Sequence, residues 1–228
     1  MPKSTKAKKI TDLKAVKPWL KKRGLFQYRL ESIEKKKRFL IVCEGQTEEL
    51  YFKSFPVLTA DVKLIHQGLS KSSLVVSVGG YMEGENYDEV WCVFDMDYKP
   101  DENKQFDNFN NSIKAATKMG YKCAYSNDAF ELWFILHYQY LDQQHHRDFF
   151  YKKLSEFWDI NYEKKGKSKV FAQSIYNRLS KDMKASQQTA IKNARKLHQI
   201  QNGKLYHLQN PVTTVYLLVE ELNRHLFR

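Results

Sequence analysis

Short, uninterrupted apolar runs that alternate with helical segments constrain the fold of this chain more than any other feature. Residues 38–43 and 88–94 have the composition of strands that are buried on both faces. Two further runs, 62–66 and 121–125, are also predicted as strands, with helical spacing between them. Because alternating strands and helices build a parallel sheet, the sequence predicts an α/β core whose mainly parallel sheet is flanked by helices.

Helices are predicted between the strands and throughout the last third of the chain. A helix over 48–55 is expected to start after Thr47, a good N-cap, and to end before Pro56. Residues 72–78 fit a helix or a strand, because their periodicity does not decide. The remaining helices are predicted over 26–37, 104–119, 129–140, 146–158, 169–181, 184–201 and 212–226.

The chain of 228 residues divides into three predicted regions. Residues 1–36 form a basic N-terminal arm, residues 37–143 form the α/β core, and residues 144–228 form a helical region that packs on the core. The counts of glycine and proline, 9 and 5, are too low for a long disordered linker between these regions.

The formal net charge of +12 is unevenly distributed along the chain. Residues 1–38 carry a net charge of +11 and residues 152–205 carry +9, whereas the segment 39–151 between them carries −8. An acidic centre between two basic regions suits a divalent metal ion in the middle and a nucleic-acid backbone at the sides. The alternative is that the lysine-rich flanks only keep the protein soluble.

Cysteine usage and hydropathy both favour the cytoplasm. The three cysteines, Cys43, Cys92 and Cys123, are scattered inside apolar runs and form no CxxC pair, which indicates reduced core residues. No apolar run reaches the length of about 18 residues that spans a membrane. The N-terminus carries lysines where a signal peptide would be apolar. We therefore expect a cytoplasmic protein without a membrane partner.

Carboxylates recur at the ends of the predicted strands. Glu44 follows the first strand, Asp95 and Asp97 follow the third, and Glu131 opens the helix after the fourth. The carboxyl ends of parallel strands lie along one edge of a sheet, so these side chains are expected to converge. Glu48 lies one helical turn after Glu44 and is close enough in sequence to join it.

Two carboxylates that lie close together repel each other unless a cation neutralises them, and Mg²⁺ or Mn²⁺ prefers such oxygen ligands. We therefore predict a metal site formed by Glu44, Glu48, Asp95, Asp97 and Glu131. Each residue also has a simpler interpretation. The Asp-x-Asp pair could form a solvated turn, Glu48 could interact only with the helix dipole, and Glu131 could form a buried ion pair with an arginine or lysine.

Four sequence blocks carry a resemblance to a known family. They are Phe-Leu-Ile-Val-Cys-Glu-Gly-Gln-Thr-Glu at 39–48, Val-Trp-Cys-Val-Phe-Asp-Met-Asp at 90–97, Ser-Asn-Asp-Ala-Phe-Glu-Leu-Trp at 126–133 and Asn-Pro-Val-Thr-Thr-Val at 210–215. In this order and at this spacing they resemble the signature blocks of RloB-like proteins. The resemblance implies a fold related to Toprim, the metal-dependent catalytic domain of topoisomerases, primases and OLD-type nucleases.

The Toprim pattern has a glutamate after one strand and Asp-x-Asp after another, which implies that Glu44, Asp95 and Asp97 are the catalytic core. With Glu48 as a further catalytic residue, the resemblance implies a Mg²⁺- or Mn²⁺-dependent nuclease that acts on DNA or RNA. RloB-like proteins are associated with prokaryotic anti-phage loci, often beside an ABC/AAA-type ATPase, which is the partner that the resemblance implies. The sequence has no Walker A loop of its own and leaves homo-oligomer formation open.

Basic residues are needed to hold the nucleic acid and to stabilise the charge of the transition state. Lys71, Lys99 and Lys169 are equal candidates for the second role. The residues expected to hold the backbone are Lys8, Lys9, Lys21, Lys22, Arg23, Lys164, Lys165, Lys167 and Lys169. His137 and His198 lie among apolar neighbours and are interpreted as core or capping histidines.

The competing hypothesis is a non-catalytic effector or scaffold that binds nucleic acid or an ATPase and keeps the acidic site as a remnant.

Overall fold

The computed structural model describes residues 36–102 and 104–226. The strands are β1 (Lys37–Cys43), β2 (Ala60–His66), β3 (Glu89–Asp95), β4 (Lys122–Asn127) and β5 (Val212–Thr213). The α-helices are α1 (Gln46–Lys53), α2 (Lys71–Met82), α3 (Gln105–Lys118), α4 (Glu131–Ile135), α5 (Arg147–Trp158), α6 (Tyr162–Lys165), α7 (Lys169–Lys181), α8 (Gln187–Gln201) and α9 (Val215–Asn223). A short 3-10 helix, Tyr206–Leu208, precedes β5.

The described strands form one five-stranded sheet in the order β2-β1-β3-β4-β5. β1 pairs in parallel with β2 and β3, and β3 pairs in parallel with β4. β5 lies antiparallel to β4 at the edge of the sheet. The prediction of an α/β fold with a mainly parallel sheet, flanking helices and a helical C-terminal region is therefore confirmed.

Helices cover both faces of the sheet, as the uninterrupted apolar composition of β1 requires. Phe39, Ile41 and Cys43 belong to one buried cluster, whereas Leu40 and Val42 belong to a second cluster on the opposite face. The first cluster includes buried side chains of α1, α4, α5, α7, α8 and α9. The second includes α2 and α3. The domain boundary between residues 143 and 144 stays a prediction.

The C-terminal segment differs from its prediction. The sequence predicts a helix over 212–226, but Val212 and Thr213 form β5 and the helix begins only at Val215. The cause is tertiary, because the edge of β4 offers unpaired backbone groups that a short extended segment can satisfy. The N–H of Thr214 continues this pairing and donates to the carbonyl of Tyr125 at 2.8 Å.

Several helix boundaries also differ from their predictions. Thr47 lies inside α1, and the N-cap position belongs to Gly45, which has no side chain to accept a hydrogen bond. The undecided segment 72–78 is helical within α2, where the Ser70 side chain caps the first turn. α4 ends at Ile135, five residues earlier than predicted, and α6 was not predicted.

The predicted basic arm falls largely on residues 1–35, outside the described residues. The helix predicted over 26–37 includes Lys37, which instead begins β1. Within the described ranges, no helix combines the length and the apolar character needed to cross a bilayer.

Candidate metal centre

The predicted carboxylates meet at the carboxyl ends of the two central strands. Glu44 directly follows β1, and Asp95 ends β3, its parallel neighbour. Glu131 begins α4, and Glu48 lies in the first turn of α1. Asp97 adopts the left-handed conformation, with φ of 53°, which aspartate tolerates better than most residues. All five side chains line one cavity of about 270 Å³, so the structure brings the whole predicted set together.

Burial changes the acidity of these groups. Burial raises the pKa of Glu48 to about 8, and the charge of Asp95 adds to the shift. Burial also raises the pKa of Glu44 to about 7, although attraction to Lys71 opposes the shift. The pKa values of Asp95 and Glu131 are raised by burial as well. The cavity therefore concentrates poorly solvated carboxylates, which a cation would stabilise.

Two basic side chains pair directly with the carboxylates. Nζ of Lys71, the first residue of α2, lies 3.2 Å from Oε1 of Glu44. The guanidinium of Arg147, the first residue of α5, pairs with Oδ1 of Asp97. The sequence offers Lys71 only as one of three equal candidates and does not identify Arg147. One sequence feature could have identified Arg147 as a candidate site residue: it is the only arginine in the acidic segment 39–151.

The helical C-terminal region supplies the environment of Glu131. This residue is buried, and the hydroxyl of Tyr162 donates to its Oε1 at 3.2 Å. Lys167, an exposed residue, lines the same cavity; partial desolvation alone would lower the pKa of its ammonium, but attraction to Glu131 raises it. Among the described residues, no basic group forms a direct ion pair with Glu131, so the alternative of a buried ion pair is not observed there.

The other predicted basic residues lie farther from the carboxylates or outside the described part. Lys99 is exposed, with its Nζ 2.8 Å from Glu102 and 3.8 Å from Asp97. Lys164 and Lys165 are exposed in α6, and Lys169 is exposed at the start of α7. Lys8, Lys9, Lys21, Lys22 and Arg23 lie outside the described residues.

A comparison with protein families decides the affiliation of the chain. The family model described as RloB-like protein matches residues 39–222. The chain belongs to the RloB-like family. The match runs from β1 into α9 and includes the five cavity carboxylates together with Lys71 and Arg147. No curated protein and no solved structure gives a significant match.

Asp128 connects the segments around the candidate metal centre of this RloB-like protein without lining the carboxylate cavity. Its Oδ1 accepts the N–H of Tyr98 at 2.8 Å, and its Oδ2 accepts the N–H of Arg147 at 3.1 Å. Its backbone carbonyl accepts the N–H of Asp97 at 3.0 Å. One residue therefore joins the loop after β3 to the start of α5. No local sequence pattern identifies this role, because Tyr98 and Arg147 are both distant from Asp128 in the chain.

Gly45 makes room for the carboxyl group of Glu48. A Cβ atom at position 45 would lie 2.2 Å from Oε2 of Glu48. The backbone of Gly45 is in the extended region, with φ of −106°, so the conformation itself would accept a side chain. A side chain at position 45 would therefore displace the Glu48 carboxyl, which is the movable end of a flexible side chain.

The donor set fits Mg²⁺ or Mn²⁺ in chemical type. All five carboxylates offer oxygen, and Oε2 of Glu44 is buried without a hydrogen-bond partner among the described residues. As placed, no three Asp, Glu, His or Cys side chains of residues 36–102 and 104–226 are already arranged around one ion position. Lys71 and Arg147 instead pair with two of the carboxylates. Metal binding would exchange these ion pairs for metal–oxygen bonds.

Proposed function

We propose that this RloB-like protein is a Mg²⁺- or Mn²⁺-dependent nuclease that hydrolyses phosphodiester bonds in DNA or RNA. One observation carries the proposal: five carboxylates from three chain segments line a single cavity, together with Arg147 and Lys167. Carboxylates of this kind hold divalent metal ions, and basic groups beside them suit the phosphate of a substrate. A buried acidic cluster with no ligand to hold would only reduce the stability of the fold.

The residues divide into two roles in this proposal. Glu44, Asp95 and Asp97 would hold the metal ion, and Glu48 and Glu131 would complete the site. A bound metal ion supplies an activated water nucleophile and stabilises the charge that develops on the phosphate. The chain itself binds and orients the substrate. The planar guanidinium of Arg147 can bind two phosphate oxygens and thereby orient the scissile group.

Lys71 is the favoured group for stabilising the transition state. Its side chain is only 11% exposed and is directed to Glu44, whereas the side chain of Lys99 is 53% exposed and pairs with Glu102. A cation that is shielded from water contributes more than one that is solvated. We therefore assign this role to Lys71 in preference to Lys99 and Lys169.

The wider setting of the proposal rests on the family resemblance. We infer a relationship to the Toprim fold, a role as effector in anti-phage defence, and an ABC/AAA-type ATPase as the partner. A cytoplasmic location belongs to the same proposal, and the free cysteines are compatible with it, since Cys43 and Cys92 are buried and Cys123 is half-buried. The exposed lysines of α6 and α7 would contact the nucleic-acid backbone.

Cleavage assays test this function. Purified protein is incubated with plasmid, single-stranded DNA or tRNA in Mg²⁺, Mn²⁺ or EDTA, with and without the ABC/AAA-type ATPase that is proposed as its partner. We expect metal-dependent cleavage that is abolished by Glu44→Gln and Asp95→Asn and retained by Glu83→Gln, whose side chain is exposed and distant in sequence from the cavity residues. Absence of cleavage under every condition would favour the alternative, a non-catalytic scaffold that binds nucleic acid or the ATPase.

A further inference from the structure

A separate pocket of about 250 Å³ lies beside the segment that carries Asp97. The residues that line it are Tyr98, Asp128, Gln144, His145, His146 and Asn210. Its volume is below the range of about 300–1,000 Å³ that is usual for pockets of drug-sized ligands, so it suits a small group such as a single ring system. None of these described residues lines the carboxylate cavity.

Flat rings form part of the pocket wall, and a second ring supports each of them. Tyr98 is 39% exposed and packs almost parallel to Phe106, with ring centroids 5.9 Å apart and an interplanar angle of 11°. His145 stacks on Phe149 at 3.7 Å and 8°. Phe106 also contacts His207 at 4.9 Å. Supported aromatic rings of this kind provide stacking surfaces at little cost in side-chain entropy.

The polar groups of the pocket suit a neutral heterocycle. Oδ1 of Asn210 is buried and has no hydrogen-bond partner among the described residues. The side-chain amides of Asn210 and Gln144 can both donate and accept hydrogen bonds, as the edge of a nucleobase requires. Both carboxyl oxygens of Asp128 accept backbone N–H groups, and His146 pairs with Asp148 at 3.1 Å. No described lysine or arginine lines the pocket, which argues against a phosphate ligand.

The pocket and the metal centre are joined through the same residues. Tyr98 follows Asp97 in the chain, and the backbone N–H groups of both donate to Asp128. Asp128 also accepts the N–H of Arg147, whose guanidinium pairs with Asp97. A ligand in the pocket would therefore lie next to the groups that are proposed to hold the scissile phosphate.

We propose that this pocket binds one unpaired base of the substrate, which makes single-stranded or locally unpaired nucleic acid the substrate class. The proposal rests on the proposed function in taking nucleic acid as the substrate, and it adds how that substrate is selected. A base that is stacked and paired inside a duplex cannot enter a pocket of this size, whereas an unpaired base can stack on Tyr98 or His145 and bind the amides.

Binding measurements separate this proposal from the nuclease assignment. Fluorescence anisotropy is recorded in EDTA with labelled oligonucleotides of equal length: a single strand, the matching duplex, and a single strand of abasic residues. We expect the wild type to bind the single strand more tightly than the abasic strand. Tyr98→Ala and His145→Ala are each expected to weaken binding of the single strand about 10-fold, with little effect on the abasic strand.

Controls distinguish lost stacking from lost structure. Tyr98→Phe keeps the ring and is expected to bind like the wild type, as is Met183→Ala at a fully exposed site of similar apolar character. Thermal unfolding followed by circular dichroism verifies that every variant folds. Equal binding of the single and abasic strands by the wild type, or unchanged binding by both Tyr98→Ala and His145→Ala, would overturn the proposal. A protein partner would then be the favoured ligand of the pocket.

Cleavage assays run in parallel keep the two proposals distinct. Preference for strands that carry bases together with absence of cleavage would support the pocket and refute the nuclease function. Metal-dependent cleavage of duplex and single strands at equal rates by wild type and Tyr98→Ala would refute the pocket and support the nuclease function.

Discussion

The ammonium group of Lys71 lies 3.2 Å from Oε1 of Glu44, at the boundary between the carboxylate cavity and a second cavity of about 390 Å³. Glu44 and Asp97 line both cavities, and Lys71, Lys99 and Lys104 line the second one. The acidic centre thus continues directly into a lysine-lined space. A phosphate backbone that extends from the carboxylates into this space would meet positive charge on leaving the candidate metal centre.

Replacement of Lys71 tests its proposed role in stabilising the transition state. We expect Lys71→Gln to slow cleavage about 100-fold, because the loss of one preorganised charge donor has this typical effect. Lys71→Arg, which keeps the charge, is expected to retain more activity than Lys71→Gln. The measurement is the single-turnover cleavage rate at saturating Mn²⁺.

Lys114→Gln provides the control for this experiment, since Lys114 is exposed on α3 and lines neither cavity. Both neutral variants lose one positive charge, so a general effect of net charge on nucleic-acid binding would appear in both. Equal rates for Lys71→Gln and Lys114→Gln would contradict the role of Lys71.

The architecture and the convergence of the acidic residues were predictable from local rules. Uninterrupted apolar runs identify the central strands, and the carboxyl ends of parallel strands share an edge, so Glu44 and Asp95 had to be neighbours. The same rule predicted that Glu131, which follows β4, would lie near Glu44 and Asp95. These inferences need only the sequence around each strand and the geometry of a parallel sheet.

The parts that were not predicted depend on contacts between distant segments. Arg147 reaches Asp97 across 50 positions of the chain, and Asp128 binds backbone groups on both sides of itself. β5 forms where β4 would otherwise present a free edge. Side-chain partners of this kind are set by packing, and no local pattern specifies them.

Substitution of Gly45 is expected to weaken metal binding without unfolding the protein. An alanine Cβ would meet the Glu48 carboxyl at 2.2 Å and displace it, whereas the backbone conformation accepts alanine. We expect Gly45→Ala to lower the affinity for Mn²⁺ about 10-fold in calorimetric titrations, the typical effect of disturbing the surroundings of a metal site. Its thermal midpoint should stay close to that of the wild type.

Gly80→Ala is the matched control for Gly45→Ala. A Cβ at Gly80 would meet no atom within 4 Å, and the residue lies inside α2, where alanine is the better helix former. We expect Gly80→Ala to bind Mn²⁺ like the wild type and to be slightly more stable. Unchanged metal affinity in Gly45→Ala would contradict the prediction that metal binding depends on the present position of the Glu48 carboxyl.

Removal of the Asp128 carboxyl is expected to affect both stability and cleavage. Asp128→Ala would leave the N–H groups of Tyr98 and Arg147 without their acceptors, at a cost of about 2 kcal/mol in unfolding free energy. Urea denaturation measures this cost. The cleavage rate is expected to fall as well, because the loop of Asp97 and the start of α5 lose their common anchor.

Asp148→Ala serves as the comparison for Asp128→Ala. Asp148 lies one residue after Arg147, but its side chain is 70% exposed and, among residues 36–102 and 104–226, pairs only with His146. We expect its replacement to change the unfolding free energy by less than about 0.5 kcal/mol. If the two variants had equal stability and equal cleavage rates, Asp128 would have no positioning role.

His137 is expected to make the protein less stable as the pH falls from about 6.5 to about 4. Burial lowers the pKa of His137 to about 4, and its Nδ1 donates to the carbonyl of Trp133 at 2.9 Å. The unfolded chain, with a histidine pKa near 6.5, therefore takes up a proton before the folded protein does. Above pH 6.5, His137 is neutral in both states and does not reduce the free energy of unfolding. Between pH 6.5 and pH 4, protonation of His137 in the unfolded chain lowers that free energy by up to about 3 kcal/mol.

Comparison with His137→Gln isolates this contribution. The buried carboxylates Glu44 and Glu48, whose raised pKa values have the opposite effect on stability, titrate in both proteins and cancel in the difference. Urea denaturation between pH 4 and pH 8 is expected to give a difference in unfolding free energy that changes in the direction favourable to His137→Gln as the pH falls. A difference independent of pH would mean that His137 becomes protonated in the folded state as readily as in the unfolded chain.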